Sequence, residues 1–275
     1  MSLCLVAIFK NESHILKEFI THYIKQGVDH FFLIDNGSND NYSDILTNFS
    51  NITLKINPNR PFQIAHYNNY CLEACKKYDW VIICDLDEFI YARRHFTNIK
   101  QYLNSLDADV SQVFIPWKIF GSSGFNTIDK LQPDNVVENF TNRINYDKDS
   151  NFQGVIMEGD LKYSLTKCIV KTKYLKYFGI HSHVTSYGRY IGPDNNAFIH
   201  SNSAFYKIDE DILSNSFLHL NHYPIQSYEW FTRIKATRGD VNDVINEYCR
   251  NEEYFRKFDD SSNDIPDFEL KLMNQ

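Results

Sequence analysis

The apolar positions change period along the chain, and its first ninety or so residues alternate between two patterns. Leu3-Cys4-Leu5-Val6-Ala7-Ile8-Phe9 is an unbroken apolar run of strand length, as in a strand covered on both faces. From Ser13 onward Ile15, Leu16, Phe19, Ile20, Tyr23 and Ile24 recur at helical spacing, and Gly27 stands where a C-terminal cap belongs. His30-Phe31-Phe32-Leu33-Ile34 predicts a second buried strand, running into the turn-rich Asp35-Asn36-Gly37-Ser38-Asn39-Asp40. A short helix around 42–49, a strand at 52–56, a helix from about 62 to 77 and Trp80-Val81-Ile82-Ile83-Cys84 continue the alternation. This order predicts an α/β fold with a mostly parallel central sheet and helices on both faces.

Beyond residue 110 the period is weaker. Strands are predicted near 112–117, 166–171 and 216–220, and a helix over about 226–258, broken at Gly239-Asp240. The acidic stretch 259–267 is expected to be mobile. No linker separates these parts, so residues 1–240 form the main domain, and 241–275 are a helix and acidic tail of the same unit.

Ligands of such sheets bind beyond the carboxyl ends of the strands. Those places hold Lys10-Asn11-Glu12, Asp35-Asn36-Gly37-Ser38-Asn39-Asp40 and Asp85-Leu86-Asp87-Glu88. In an extended segment Asp85 and Asp87 point to one side, and a pair of carboxylates suits Mg²⁺ or Mn²⁺, which leave positions for phosphate oxygens. The plainer alternative is a solvated acidic turn. The chain has no G-x-x-x-x-G-K-[ST] and no G-x-G-x-x-G after its first strand, which excludes a P-loop and argues against a dinucleotide site.

Several motifs, in order, resemble a known family. They are Asn11-Glu12 before a helix, Gly27-Val28-Asp29-His30-Phe31 leading to Asp35-Asn36-Gly37-Ser38-x-Asp40, Gln63 with Ala65-x-Tyr67-Asn68, and Asp79-Trp80 leading to Asp85-Leu86-Asp87-Glu88-Phe89. Further on come Trp117-x-x-Phe120-Gly121-Ser122-Ser123-Gly124, Glu138-x-Phe140-x-x-Arg143 and His222-Tyr223-x-x-x-Ser227 with Arg238-Gly239. Together they resemble the family 2-like glycosyltransferases, above all glycosyltransferase family 92, over about residues 3–240. Phe125 stands where relatives often have histidine, and 146–160 reads as an insertion.

The resemblance implies the GT-A fold, a Rossmann-like nucleotide-diphospho-sugar transferase fold, with a UDP-sugar donor and Mn²⁺ or Mg²⁺. It makes Asp85 and Asp87 the metal pair, with Asp85 also facing the donor, and sets Asn11, Asp35 and Asn36 near the uridine, with Gln63 and Asn68 on the donor side. His222 matches the family's His-Tyr position and is a third metal ligand or a loop hydrogen-bonder. The activity implied is inverting transfer of a hexose, galactose or glucose, to a glycan or glycosylated acceptor. Inversion needs a general base, for which Glu138, Glu158 and Asp160 are the alternatives. Trp117 and Phe120 stack on an acceptor sugar beside Gly121 and Ser122, or form a core tryptophan next to a tight turn. His181-Ser182-His183 reads as nucleotide or acceptor contact rather than zinc, since no cysteine or carboxylate set stands near.

Composition narrows the classes. Lys+Arg 28 against Asp+Glu 35 gives a net charge of −7, which argues against a nucleic-acid partner. No apolar run reaches the roughly 18 residues of a membrane helix, and no secretion signal is read at the N-terminus. Of six cysteines several lie in apolar runs, so they are expected reduced and buried. Sequons fall at the expected nucleotide site, where a glycan would block function; with the thiols, this predicts a cytoplasmic protein. Aromatics in the second half leave a homodimer open. The rival readings are a non-catalytic glycan- or nucleotide-binding protein on the same scaffold, and a phosphotransferase with Asp85 as nucleophile. The latter usually has its Asp-x-Asp near the first strand.

Overall fold

The computed structural model describes residues 1–59, 63–129, 135–148, 154–198, 200, 204–238 and 250–275. The first half alternates as expected: β1 Leu3–Phe9, α1 Ser13–Lys25, β2 His30–Asp35, α2 Tyr42–Leu46, β3 Ile52–Ile56, α3 Gln63–Tyr70, α4 Leu72–Cys75 and β4 Trp80–Ile83. The helix read over 62–77 is thus two helices, divided at Cys71. Gly27 takes φ +92° after α1, the left-handed cap that glycine adopts without Cβ strain.

β1 shows why an unbroken apolar run is needed here. Its period of two sends Leu3, Leu5, Ala7 and Phe9 to the face covered by α1, where they join Ile15, Leu16 and Phe19. Cys4 and Val6 go to the other face, with Tyr67, Cys71 and Cys75 of the α3–α4 region. Each face is dry, so neither tolerates a polar residue.

The second half runs β5 Glu88–Ala92, α5 Ile99–Ser105, β6 Val110–Ile119, α6 Val136–Asn139, β7 Asn142–Arg143, β8 Val155–Glu158, β9 Leu161–Lys171, β10 Leu175–Tyr177 and β11 Val184–Thr185. It continues with β12 Arg189–Ile191, β13 Phe205–Lys207, α7 Glu210–Asn215, β14 Leu218–His222, α8 Tyr228–Arg233, α9 Glu252–Asp259, β15 Ile265–Pro266 and α10 Glu269–Asn274. The main sheet has the order β3-β2-β1-β4-β9-β6-β14-β5. β1 pairs in parallel with β2 and β4, and β2 with β3. β9 then inserts antiparallel between β4 and β6, and β14 joins β6 in parallel and β5 antiparallel. The sheet is mixed: it is all parallel in the first half, where helical crossovers return the chain to the same edge, while the second half combines antiparallel pairs with the parallel pairs of β6 with β12 and β14. This α/β architecture is the GT-A arrangement that the resemblance implies.

Two expectations about the C-terminal part change. The helix over 226–258 is replaced by α8, a 3₁₀ turn at Lys235–Thr237 and α9; Gly239-Asp240 lies outside the described residues. The stretch 259–267 is pinned to the body: Asp259 Oδ1 accepts from Ser122 N at 2.8 Å, Lys148 pairs with Asp264, and Arg143 Nε reaches Asp267 at 2.7 Å. Of its acids, Asp267 is the ion-pair partner of the buried Lys118 and Arg143, which composition alone does not reveal. Cys4, Cys71, Cys75, Cys84 and Cys168 are free and buried, as expected of them; Cys249 lies outside the described residues. Among the described residues no helix is long and apolar enough to cross a membrane.

Candidate active site

Strand register brings the three polar segments to one edge. Phe9 lies opposite Asp35, and Val6 opposite Ile83, so the chain leaves β1, β2 and β4 side by side. Asn11 turns the chain there with φ +53°, a left-handed value that asparagine tolerates better than most residues. Its N–H donates to Ser38 Oγ at 3.0 Å, and its Oδ1 accepts from Asn39 N at 2.8 Å. Asp35 is buried, with Oδ1 accepting from Ser38 N at 2.7 Å and Oδ2 from Tyr42 OH at 3.0 Å. Asn36 Nδ2 donates to Asn57 O at 2.9 Å. The residues expected near a uridine therefore fasten the loops that frame the edge.

Asn68 departs from its expected donor-side role. It donates to Ile64 O and Phe178 O and accepts from Phe178 N, a clamp between α3 and the chain after β10 that occupies both ends of its amide. Gln63 is buried and bonds Asp85 Oδ1 at 2.7 Å and Tyr67 OH at 2.7 Å, so it orients Asp85.

The segment from Asp85 to Glu88 is a turn, closed by Glu88 N donating to Asp85 O at 3.1 Å, rather than an extended strand end. As a result the two aspartates face different partners. Asp85 Oδ2 is 2.8 Å from Lys167 Nζ, a lysine that is 1% exposed, while the Asp85 side chain keeps 37% exposure. Burial opposes the charge of Asp85, but Lys167 outweighs it and holds the carboxyl below its ordinary range. Glu88, fully buried, accepts from Asp85 N at 2.8 Å and lies 3.4 Å from Lys167. Burial pushes its pKa up to about 8, and the negative Asp85 and Asp87 add to that although Lys167 opposes them. Glu88 is thereby shifted toward its neutral form.

Asp87 Oδ1 is 3.7 Å from His222 Nε2, and Asp87 Oδ2 is ion-paired with Lys235 Nζ. Burial opposes its charge, yet Lys235 and His222 keep it ionised far into acid. β14 brings His222 here, in register with Glu88 on β5 and Ile119 on β6. Burial lowers the His222 pKa to about 3 despite Asp87, so the ring is neutral, and its buried Nδ1 has no partner. Trp117 packs against this ring at 4.2 Å between centroids, and His181 meets Trp117 in a T-shaped contact at 5.5 Å. His181 Nδ1 is 2.9 Å from Thr166 O; a carbonyl only accepts, so Nδ1 holds the proton and Nε2 the lone pair. Glu12, next to Asn11, is buried and paired with Arg238 at 3.0 Å.

Among the described residues no group of three or more His, Cys, Asp and Glu is gathered as a ready metal site. The donor chemistry of Asp87 and His222 nevertheless fits a divalent ion. An ionised carboxylate and a neutral imidazole are the ligand forms required, and Nε2, the ring nitrogen 3.7 Å from Asp87 Oδ1, is the one placed to share an ion with it. Asp85, its oxygens engaged by Gln63 and Lys167, stands beside them as the more open carboxylate.

Other expected residues lie elsewhere. Glu138 pairs with Lys271 of α10 at 3.0 Å. Glu158 and Asp160 flank the β8–β9 turn, and Glu158 pairs with His200 at 3.1 Å. From Leu161 to Lys167 is six residues of strand, roughly 20 Å, so that turn is remote from Asp85. None of the three is brought to the aspartates. Phe120, Gly121 and Ser122 are packing rather than acceptor contacts. Phe120 and Ser122 are buried, and a Cβ on Gly121 would meet Ser262 O at 2.7 Å. Gly121→Ala is thus expected to destabilise by about 1–3 kcal/mol, read as a lower urea midpoint at unchanged slope.

Sequence reasoning missed Lys167 and Lys235. A lysine between Thr166 and Cys168, in a strand otherwise reading as interior, was the one available signal for the first. Lys235 carried none.

The family model described as Glycosyltransferase family 92 matches residues 1–265. The chain belongs to glycosyltransferase family 92. A family 92 protein of Oryza sativa subsp. japonica is 29% identical over 94 residues, 33% of this chain and 16% of that protein. One of Arabidopsis thaliana is 27% identical over 123 residues, 43% of this chain and 21% of that protein. The matches thus span a fifth or so of these family 92 relatives. Among solved structures, S. aureus TarS 1–349 aligns over 94% of this chain and 70% of its own, at 13% identity and TM-score 0.42. Glucosyl-3-phosphoglycerate synthase from Mycobacterium tuberculosis, solved with Mn²⁺, UDP and glucosyl-3-phosphoglycerate, covers 42% of this family 92 chain and 44% of its own, at 17% identity and TM-score 0.30.

Proposed function

We propose that this chain is a metal-dependent inverting glycosyltransferase, moving a hexose, galactose or glucose, from a UDP-sugar to a glycan or glycosylated acceptor in the cytoplasm. The observation that carries it is the convergence of Asp85, ionised Asp87 and neutral His222 where the chain leaves β4 and β14, in a chain of family 92. Asp87 and His222 would hold Mn²⁺ or Mg²⁺, with Asp85 on the donor side. The ion, when bound, supplies charge stabilisation to the departing UDP. Lys167 and Gln63 keep Asp85 ionised and in one orientation. Burial shifts Glu88 toward its neutral form, which would lessen the negative charge beside the diphosphate.

For the acceptor proton we assign His181 in place of Glu138, Glu158 and Asp160. Its Nε2 has the lone pair, burial with Lys167 nearby pushes its pKa down to about 4, and Trp117 contacts both its ring and that of His222. Neutral at pH 7, its Nε2 lone pair is free to take the acceptor proton, as a weaker base than one whose pKa lies near the operating pH. Free thiols are in keeping with a reducing compartment.

The test is release of UDP from a panel of UDP-sugars with Mn²⁺ and simple sugar acceptors, with His181→Ala alongside. Acceptor-stimulated release from one donor is expected, and His181→Ala should lose turnover while binding UDP as before. A folded protein that neither releases nor binds UDP with Mn²⁺ would leave the non-catalytic binding reading in its place.

A further inference from the structure

Two lysines neutralise the aspartates, and their settings differ. Lys167 stands in the middle of β9, 1% exposed, wedged between Asp85 and Glu88. It cannot leave without opening the sheet. Lys235 begins the 3₁₀ turn Lys235–Thr237, with its side chain 11% exposed, and reaches the site through its flexible stem alone. Its ammonium takes Asp87 Oδ2, while His222 faces Oδ1 of the same carboxylate. Trp230 lies beside it, with Nζ 5.8 Å from the ring centroid.

Asp87 is also the carboxylate best suited to a divalent ion. An ammonium and a divalent cation on one carboxylate in a buried setting repel each other strongly, since little water screens them. One must leave when the other arrives. A lysine released from Asp87 needs another anion, and the anion that arrives with the ion in a donor complex is the diphosphate. Lysine serves phosphate as a mobile point charge, and the turn that carries Lys235 need not unfold for its stem to swing.

Resting on the glycosyltransferase reading of this site, we propose that Lys235 is an exchangeable counter-ion of Asp87. It occupies the cation position in the free protein and is transferred to the donor diphosphate when the divalent ion binds. The protein then never holds Asp87 buried without a positive partner, and the ion and nucleotide bind cooperatively because each provides for a charge that the other displaces.

The exchange predicts changes of opposite sign in one variant. Calorimetric titration of the full chain with Mn²⁺ alone should give about tenfold tighter binding in Lys235→Ala than in wild type, because the competitor is gone. Titration with UDP at saturating Mn²⁺ should give about tenfold weaker binding, because the phosphate contact is gone. A lysine with a merely structural role would not tighten the metal. Since Lys235→Ala leaves Asp87 without its ion pair and could misfold, wild type supplies an independent readout. Acylation of Lys235 by an amine-reactive ester, followed by peptide mass spectrometry, should rise with Mn²⁺ alone and fall again with Mn²⁺ and UDP. Mn²⁺ binding that Asp87→Asn abolishes but Lys235→Ala leaves unchanged or weakens, or acylation that Mn²⁺ does not alter, would overturn the exchange and leave the metal site standing. Failure of folded wild type to bind either Mn²⁺ or UDP would overturn both.

Discussion

Asp87→Asn is expected to lower UDP-sugar turnover by roughly 10²–10³-fold, the scale of removing one preorganised electrostatic group from a catalytic site. The carboxamide preserves shape and removes the charge that His222 and Lys235 face. A divalent ion would lose its anionic ligand, and Lys235, 11% exposed, would keep its ammonium beside a neutral group. The loss should therefore appear in activity and, more modestly, in thermal stability. Asp85→Asn makes the informative contrast: Gln63 still holds one oxygen, but Lys167, only 1% exposed, loses its closest charged partner, so the cost to stability should be the larger. Initial rates of UDP release, with melting curves on the same preparations, separate the two effects. A folded Asp87→Asn protein within threefold of the wild-type rate would sink the assignment of Asp87 as the central carboxylate.

How far the site was legible in the sequence depends on the range of the interactions. The βαβ half was readable because its signals are local: apolar runs at strand length, the helical period after Ser13, and Gly27 at a cap that requires positive φ. The Asp85-to-Glu88 segment was locatable for the same reason, as the polar exit from a buried strand. The partners of its carboxylates were not, because Asp85 is paired with Lys167, which stands 82 residues from it along the chain. Lys235 is further still, 148 residues from Asp87. Glu138 illustrates the opposite error. Its motif neighbours suggested chemistry, whereas the structure gives it Lys271 as a partner on α10. Ion pairs between distant segments leave no periodic trace, so a carboxylate in a motif and a carboxylate in a structural clamp read alike.

The mixed half of the sheet has the same origin. Strand β6 carries Trp117 toward His222, and the next residue, Lys118, points to the opposite face. There Lys118, fully buried, meets Asp267 at 3.0 Å and bonds Tyr91 OH, while His219 on β14 meets Glu269 at 2.9 Å. Arg143 adds a paired contact to Glu210 and one to Asp267. The C-terminal residues thus stabilise the strands from beneath, and the site edge depends on them without touching them.

Asp267→Asn is accordingly expected to destabilise the fold by roughly 3–5 kcal/mol, because it leaves Lys118 fully buried with its nearest counter-charge removed. Glu269, 3.6 Å from Lys118, and Glu210, on Arg143, limit the damage to the lower part of that range. Burial also draws the Lys118 pKa down, so part of what the carboxylate gains from the pair its partner gives back. The pH dependence follows from the carboxylate. Burial opposes the charge of Asp267, but Lys118 and Arg143 outweigh it and set its pKa at about 2, below the ordinary value of about 3.9. A depressed pKa contributes stability that is fully present above the unfolded value and is lost as pH falls through the folded one. Wild type should therefore lose this contribution between about pH 4 and pH 2, a window that Glu269, depressed in the same direction, shares. In Asp267→Asn the loss is already complete at pH 7, so the difference between the two proteins should shrink as the pH is lowered. Urea unfolding at pH 7, 4 and 3 checks both the size and the convergence. Since Asp267 lies on the face of β6 away from Trp117, the variant should retain its UDP affinity at temperatures where it remains folded. A gap in stability that is independent of pH would show that Asp267 acts through packing rather than charge.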